Sequence, residues 1–248
     1  MSGPDWLTAQ PLAHRGLHDA SAGVIENTAA AFSAAMAAGY GMETDLQISA
    51  DGEAMVHHDD ALGRLTEGSG FLADLTAAEI RAVRFKASSG RILTLGELCD
   101  IVAGRVTLLL ELKSRFDGDT RLAKRTINVL AGYAGPVAVM SFDADLIEAV
   151  RHAAPGLRRG IVSERSYFHP EWNKVSPSRK RSMVWLLHTP RSRPQFIAYS
   201  VKDLPAAAPL LARKVFGLPL LTWTVRGEDE RRLAARWADQ IIFEGWRP

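Results

Sequence analysis

Strand-like and helix-like segments alternate along most of the chain. Short apolar segments end at Gly, Pro or polar residues, and the stretches between them mostly carry apolar residues at the helical period. Eight segments are predicted as strands: residues 12–14, 42–48, 106–113, 137–142, 157–162, 196–201, 220–225 and 240–243. Eight strands alternating with helices favour an α/β fold of the (β/α)8 TIM barrel class over a doubly wound sheet, which usually has fewer strands. The 248 residues are long enough for one such domain, predicted to span residues 1–248.

Two segments interrupt the alternation. Residues 60–70 carry three glycines and indicate a small, irregular insertion after the second strand. Residues 163–194 are too long for one connection, and we expect them to lie over or beside the barrel mouth and to supply part of a substrate or partner surface. The alternative is a solvated connection on the outer ring. The basic residues of this segment are Lys174, Arg179, Lys180, Arg181, Arg191 and Arg193.

The second predicted strand carries a Glu-x-Asp pair. Side chains two residues apart on a strand point the same way, so Glu43 and Asp45 are expected side by side. Two carboxylates this close repel each other unless a cation lies between them, and a hard, oxygen-binding cation is suited to that place. A turn then brings His57 and His58 back toward the same region. The alternative is a solvated strand end beside a surface turn.

Two other predicted strands end in residues of the same chemical kind. The first ends at His14 and is followed by Arg15, and the third contains Glu111 and ends at Lys113. Active sites of (β/α)8 barrels are built from such strand ends at one mouth. Glu111 on a buried strand needs a positive partner, which is either a metal ion or Lys113.

Composition excludes several classes. A formal net charge of +2 is too small to imply a nucleic-acid-binding protein. A single cysteine, Cys99, rules out an internal disulfide framework and agrees with a reducing compartment. No signal-peptide pattern opens the chain, and no apolar run reaches the roughly 18 residues that span a bilayer. We therefore expect a soluble, cytoplasmic protein.

A series of short motifs connects these segments. Together they resemble the glycerophosphodiester phosphodiesterase family, within the superfamily of phospholipase C-like phosphodiesterase barrels. The match is dense over residues 12–113 and thinner but in register to residue 248. Each motif alone is weak, and their order makes the set specific. In order, they are His14-Arg15-Gly16, Glu26-Asn27-Thr28, Glu43-x-Asp45, Asp51-Gly52, His58-Asp59, Leu62-x-Arg64-x-Thr66, Leu110-Glu111-Leu112-Lys113, Ser141-Phe142 and Trp223-Thr224-Val225.

The resemblance assigns the acid–base pair. The histidines that match the family's catalytic pair are His14 and His58, one activating the attacking hydroxyl or water and the other protonating the departing alcohol. Which histidine has which role stays open, as does a route through a cyclic phosphate. Adjacent His57 is expected to face the other way.

Three carboxylates complete a candidate metal site. Glu43, Asp45 and Glu111 are predicted to hold one divalent cation, Mg²⁺ or Ca²⁺, since zinc would favour more His or Cys ligands. Arg15 and Lys113 are candidate phosphate-binding residues. Trp223 is either a wall for the alcohol group or a core aromatic.

The implied reaction is the metal-dependent hydrolysis of a small-molecule glycerophosphodiester to sn-glycerol 3-phosphate and an alcohol such as choline or ethanolamine. Two alternatives stay open: a lipid or lysophospholipid phosphodiesterase that touches a membrane through residues 163–194, near Trp185, and a catalytically idle barrel that binds phosphate esters. The family usually has Asn at the position of Arg226 and ends its final strand in Thr-Asp, where this chain has Phe243-Glu244. These departures put the alcohol part of the substrate in doubt.

Overall fold

A closed parallel sheet forms the centre of the computed structural model, which describes residues 5–248. Residues 1–4, part of the predicted domain and of the segment used to argue against a signal peptide, lie outside the described residues. The strands are β1 (Leu12–His14), β2 (Gly41–Ile48), β3 (Ala54–Val56), β4 (Leu108–Leu112), β5 (Val137–Ser141), β6 (Arg158–Ser163), β7 (Phe196–Ser200), β8 (Leu220–Val225) and β9 (Gln240–Phe243).

The order of the strands closes the barrel. β1 pairs in parallel with both β2 and β9, and β4 to β9 follow one another in parallel, which gives eight barrel strands within residues 5–248. β3 pairs antiparallel with β2 and stands outside this ring. The predicted single-domain (β/α)8 barrel is therefore confirmed, and β3 is an addition that the sequence did not reveal.

Helices cover the outside of the sheet. α3 starts with a capping box, in which Thr94 and Glu97 exchange hydrogen bonds with each other's backbone N–H groups. The helices are α1 (Ala29–Ala37), α2 (Ala77–Ala82), α3 (Leu95–Val102), α4 (Arg121–Leu130), α5 (Ala144–Ala153), α6 (Pro177–Val184), α7 (Thr189–Ser192), α8 (Ala207–Phe216) and α9 (Glu228–Trp237).

The alternation of side chains on β4 separates two cores. Leu109 points into the barrel with apolar residues of the other strands, whereas Leu108 and Leu110 belong to the core between sheet and helices. Gly160 on β6 makes room inside the barrel, because a Cβ there would lie 2.3 Å from the ring of Phe196. Apolar residues fill the lower barrel, so the polar residues of β4 are confined to its upper end.

Both predicted interruptions are present, and the first is larger than the predicted residues 60–70. Residues 49–94 form the insertion, with the hairpin strand β3, irregular turns and the short helix α2. Residues 163–194 connect β6 to β7 through a 3-10 turn, Pro170–Lys174, followed by α6 and α7. Among the described residues, no helix is long and apolar enough to cross a membrane.

Thr28, and not the neighbouring Asn27, caps α1: the Thr28 hydroxyl accepts a hydrogen bond from Ala31 N–H. Asn27 instead has a positive φ of 57° and turns its side chain toward β2. Both residue types cap helices well, so tertiary contacts decided between them.

Candidate active site

Strand register brings the three predicted metal ligands together. In the parallel sheet His14 lies beside Glu43, and Asp45 lies beside Glu111. Glu43 and Asp45 share the inner face of β2, as their spacing predicted. One carboxylate oxygen from each of the three acids lies within 4.8 Å of the others, and all three residues are buried.

Lys113 neutralises part of this charge. Its Nζ lies 2.9 Å from Asp45 Oδ1 and 2.8 Å from Glu111 Oε1. Burial opposes the charged ammonium, but the two carboxylates raise the pKa of Lys113 above its usual value. The Glu111–Lys113 ion pair considered as an alternative is therefore present, together with the cluster of acids.

The negative charge of the Glu43 carboxylate is not fully balanced by positive neighbours. Its Oε1 is buried and accepts no hydrogen bond from the described residues, while Oε2 accepts one from Arg15 N–H at 3.2 Å. Burial, and then the charges of Asp45 and Glu111, raise the pKa of Glu43 well above its usual value. An oxygen-binding divalent cation fits here, because it supplies the missing charge and a partner for the free oxygen.

The pKa of Asp45 shifts in the opposite direction to that of Glu43. Burial would raise its pKa, but Lys113, His58 and Arg15 lower it well below its usual value. Arg15 Nε lies 3.4 Å from Asp45 Oδ2, and Asn27 donates a hydrogen bond to the same oxygen at 3.0 Å. Asp45 is thus a carboxylate fixed in its ionised form at the base of the site.

Arg15 and Gly16 form a tight turn directly after β1. Arg15 has a φ of 57° and Gly16 a φ of 78°, so the chain turns sharply after β1. A Cβ on Gly16 would lie 2.9 Å from the backbone carbon of Ala31, which explains the glycine in the His-Arg-Gly motif. The turn directs the guanidinium of Arg15 to Glu26, with Nη1 2.8 Å from Oε1.

His14 is oriented by a residue that sequence reasoning did not assign. Its Nδ1 lies 2.8 Å from Glu244 Oε2, and its Nε2 lies 3.9 Å from Glu43 Oε2. Arg226 donates a hydrogen bond to Glu244 at 3.0 Å. Burial lowers the pKa of His14, against the bond to Glu244, and that bond lowers the pKa of Glu244 to about 2. The two departures from the family pattern, Arg226 and Glu244, therefore contact each other, and Glu244 also contacts His14.

His58 has a similar arrangement on the other side of the site. Its Nδ1 lies 2.8 Å from Asp59 Oδ1, and Arg64 Nε donates to Asp59 Oδ2 at 2.6 Å. Arg64 also bonds Glu26, which in turn pairs with Arg15. The signals for this network were in the sequence, because Asp59 follows His58 directly and Arg64 lies in the Leu-x-Arg-x-Thr motif.

One cavity of about 680 Å³ opens at the carboxyl ends of the strands and contains these groups. All predicted site residues line it except Asp45, which lies buried behind its surface. Trp223 forms part of the wall, with its ring centroid 5.7 Å from that of Phe142. His57 is buried outside this lining, with Nδ1 3.0 Å from the carbonyl oxygen of Asp59. The structure thus gathers the predicted residues at one mouth.

The fold is that of a barrel enzyme whose polar cavity lies at the mouth where such enzymes carry their catalytic groups. The model of the glycerophosphoryl diester phosphodiesterase family matches residues 14–244, and this chain belongs to that family. A glycerophosphodiester phosphodiesterase of Caldanaerobacter subterraneus is 31% identical over 244 residues, which cover 94% of this chain and 93% of the relative. The predicted family and enzyme class are confirmed.

Solved structures agree with the fold. A phosphodiesterase of Oleispira antarctica, in complex with the product sn-glycerol-3-phosphate, has a TM-score of 0.77 at 21% identity, covering 95% of this chain and 92% of that one. A glycerophosphodiester phosphodiesterase of Thermotoga maritima has a TM-score of 0.69 at 24% identity, covering 94% and 92%. At these identities the likeness concerns the barrel itself.

Replacing Glu244 is expected to reduce turnover without removing substrate binding. Glu244→Gln loses the charge that holds the His14 ring, so we expect kcat to fall about 10- to 100-fold with a small change in KM. Steady-state kinetics on a glycerophosphodiester give both constants. Asp229→Asn, at an exposed carboxylate on α9, is the matched control. Equal losses in both variants would contradict a positioning role for Glu244.

Proposed function

We propose that the enzyme hydrolyses glycerophosphodiesters with the help of one divalent cation and releases sn-glycerol 3-phosphate and an alcohol. The observation that carries the proposal is the meeting of three buried carboxylates and two oriented histidines around one cavity. Phosphodiester hydrolysis needs this combination, since the phosphate charge must be offset while protons move at the attacking and leaving oxygens. The same set favours an enzyme over an idle phosphate-ester-binding barrel.

The two histidines have the geometry of proton carriers. Hydrogen bonds to Glu244 and Asp59 occupy Nδ1 of His14 and of His58, which leaves each Nε2 for proton transfer. In the proposed reaction one histidine takes the proton of the attacking water or hydroxyl, and the other protonates the departing alcohol oxygen. The carboxylates of Glu244 and Asp59 keep the two imidazole rings in one orientation while the charge on each ring changes.

The remaining charges bind the phosphate. Glu43, Asp45 and Glu111 would hold Mg²⁺ or Ca²⁺, which when bound supplies positive charge for the phosphate oxygens. Arg15 and Lys113 line the same cavity and add two fixed cations. Their ion pairs with Glu26 and Asp45 keep both side chains in place before substrate arrives.

The direct test is release of glycerol 3-phosphate. We expect the purified protein to release it from glycerophosphocholine or another glycerophosphodiester in the presence of Mg²⁺ or Ca²⁺. Addition of a chelator should abolish the release, and re-addition of the cation should restore it. No release from any of a panel of glycerophosphodiesters would refute the proposal.

The connection after β6 bears on the lysophospholipid alternative. That alternative was motivated by the basic stretch of residues 163–194 with Trp185, which is exposed and does not line the cavity, whereas Trp172 of the same segment does. A small-molecule diester therefore stays the proposed substrate. Peripheral membrane contact and a cytoplasmic location stay predictions.

A further inference from the structure

The cavity has a second half that the proposed chemistry does not use. The carboxylates, the histidines and their partners come mainly from β1, β2, β4 and the turn after β3. The opposite wall comes from the ends of β5 to β8 and from the connection after β6. Phe142, Trp172 and Trp223 line this half, together with Lys174 and Lys202. It is placed to receive a group attached to the phosphate.

An aromatic wall forms one side of this half. The ring of Phe142 packs on Trp172 at 4.9 Å and on Trp223 at 5.7 Å between centroids. Tyr167 packs edge-on against Trp172 at 4.9 Å, and its hydroxyl lies 3.0 Å from Ser163 Oγ. These contacts fix the rings before any ligand binds. Such a wall suits the C–H face of a ring or a short carbon chain.

Two lysines line the cavity in the same half as this wall. The cavity lining also carries the carboxylates of Asp60, in the turn after β3, and Glu164. Lys174 and Lys202 are exposed and form no ion pair within the described part of the chain. Their charges therefore face the opening and are available to a ligand. Arg115 and Arg226 also line the cavity, but they pair with Asp117 and Glu244.

We propose that this half binds an alcohol part that carries its own anionic group, so that the enzyme selects anionic glycerophosphodiesters. The inference rests on the proposed function, because it concerns the group on the far side of the same phosphate. An apolar face would pack on Trp172 and Trp223, and the anionic group would meet Lys174 and Lys202. Choline could pack on the rings through its cation, but it would lie beside two ammonium groups of the same sign that have no ion pair among the described residues.

The test compares two substrates that differ by one phosphate. We expect kcat/KM for glycerophosphoinositol 4-phosphate to exceed that for glycerophosphoinositol about tenfold at low ionic strength. The ratio should fall as salt is added, because both lysines are exposed. Glycerophosphocholine should be the poorest substrate of the three.

Variants locate the effect. The double change Lys174→Gln and Lys202→Gln should bring the ratio close to one. The matched control changes Lys180→Gln and Arg181→Gln, two basic residues of α6 that do not line the cavity, and should keep the wild-type ratio. An equal fall in both double variants would assign the preference to the general charge of the connection and overturn the proposal.

Two further outcomes would overturn it, and one concerns the proposed function alone. A wild-type ratio near one, or a ratio that survives in the Lys174 and Lys202 variant, contradicts an anionic subsite. If no diester is hydrolysed, the proposed function fails, and calorimetric titration of the same two diesters then tests the subsite by itself. Equal affinities in that titration would refute it.

Discussion

His14→Ala and His58→Ala are each expected to lower kcat/KM for glycerophosphodiesters by about 10²- to 10⁴-fold, the usual contribution of a general acid or base. Each ring lines the cavity and is held by a carboxylate at 2.8 Å, so alanine would remove a proposed proton carrier from its position in the site. Steady-state kinetics at saturating cation measure the loss, and thermal unfolding checks that the fold persists.

The control for this pair is another histidine. His152 lies at the exposed end of α5, outside the cavity, and His152→Ala should keep wild-type activity. Less than a tenfold loss in both His14→Ala and His58→Ala would exclude the acid–base assignment. A large loss in only one would leave the other histidine without a catalytic role.

Glu43→Gln, Asp45→Asn and Glu111→Gln are each expected to weaken Mg²⁺ and Ca²⁺ binding at least about tenfold and to lower activity with it. Each change removes a charged oxygen from a cluster whose ligand atoms lie within 4.8 Å of one another. Calorimetric titration with both cations is the measurement. Unchanged affinity in all three variants would show that the cluster is not the metal site.

The same variants should differ in the stability of the metal-free protein. Asp45→Asn leaves Lys113 and Arg15 with less negative charge in a buried site, so we expect a loss of about 3–5 kcal/mol in the free energy of unfolding. Glu43→Gln removes a carboxylate that repels its neighbours, and the change should be about 1 kcal/mol or less. Equal losses in chemical denaturation would contradict this difference between the two acids.

The barrel could be predicted from the sequence because each of its strands and helices leaves a local pattern of apolar residues. The apolar segments that form β8 and β9 have the predicted bounds, residues 220–225 and 240–243. β3 was missed because three apolar residues, Ala54–Val56, between a turn and the histidines give too short a pattern to separate from a loop. Its pairing with β2 is a tertiary contact.

The parts of the site that were missed depend on long-range contacts. Glu244 was noted only as a departure from the family pattern and given no role, because nothing near it in the sequence indicates His14 as its partner. The role of the basic residues in 163–194 could not be predicted fully for the same reason. Arg179 pairs with Asp143 at 3.1 Å and Arg191 with Glu148 at 2.6 Å, so both hold the connection against neighbouring segments. The ion pairs in the structure, and not the sequence, show which basic residues of this connection are held by carboxylates and which can meet a ligand.

The contact between His14 and Glu244 joins residues 230 positions apart. During synthesis on the ribosome, β1 is made before β9, which is its partner in the closed barrel. Until then one edge of β1 is unpaired and His14 lacks its carboxylate. The pairing of His14 with Glu244 therefore forms only when β9 docks, so a chain that has folded the other strands still has an incomplete candidate active site.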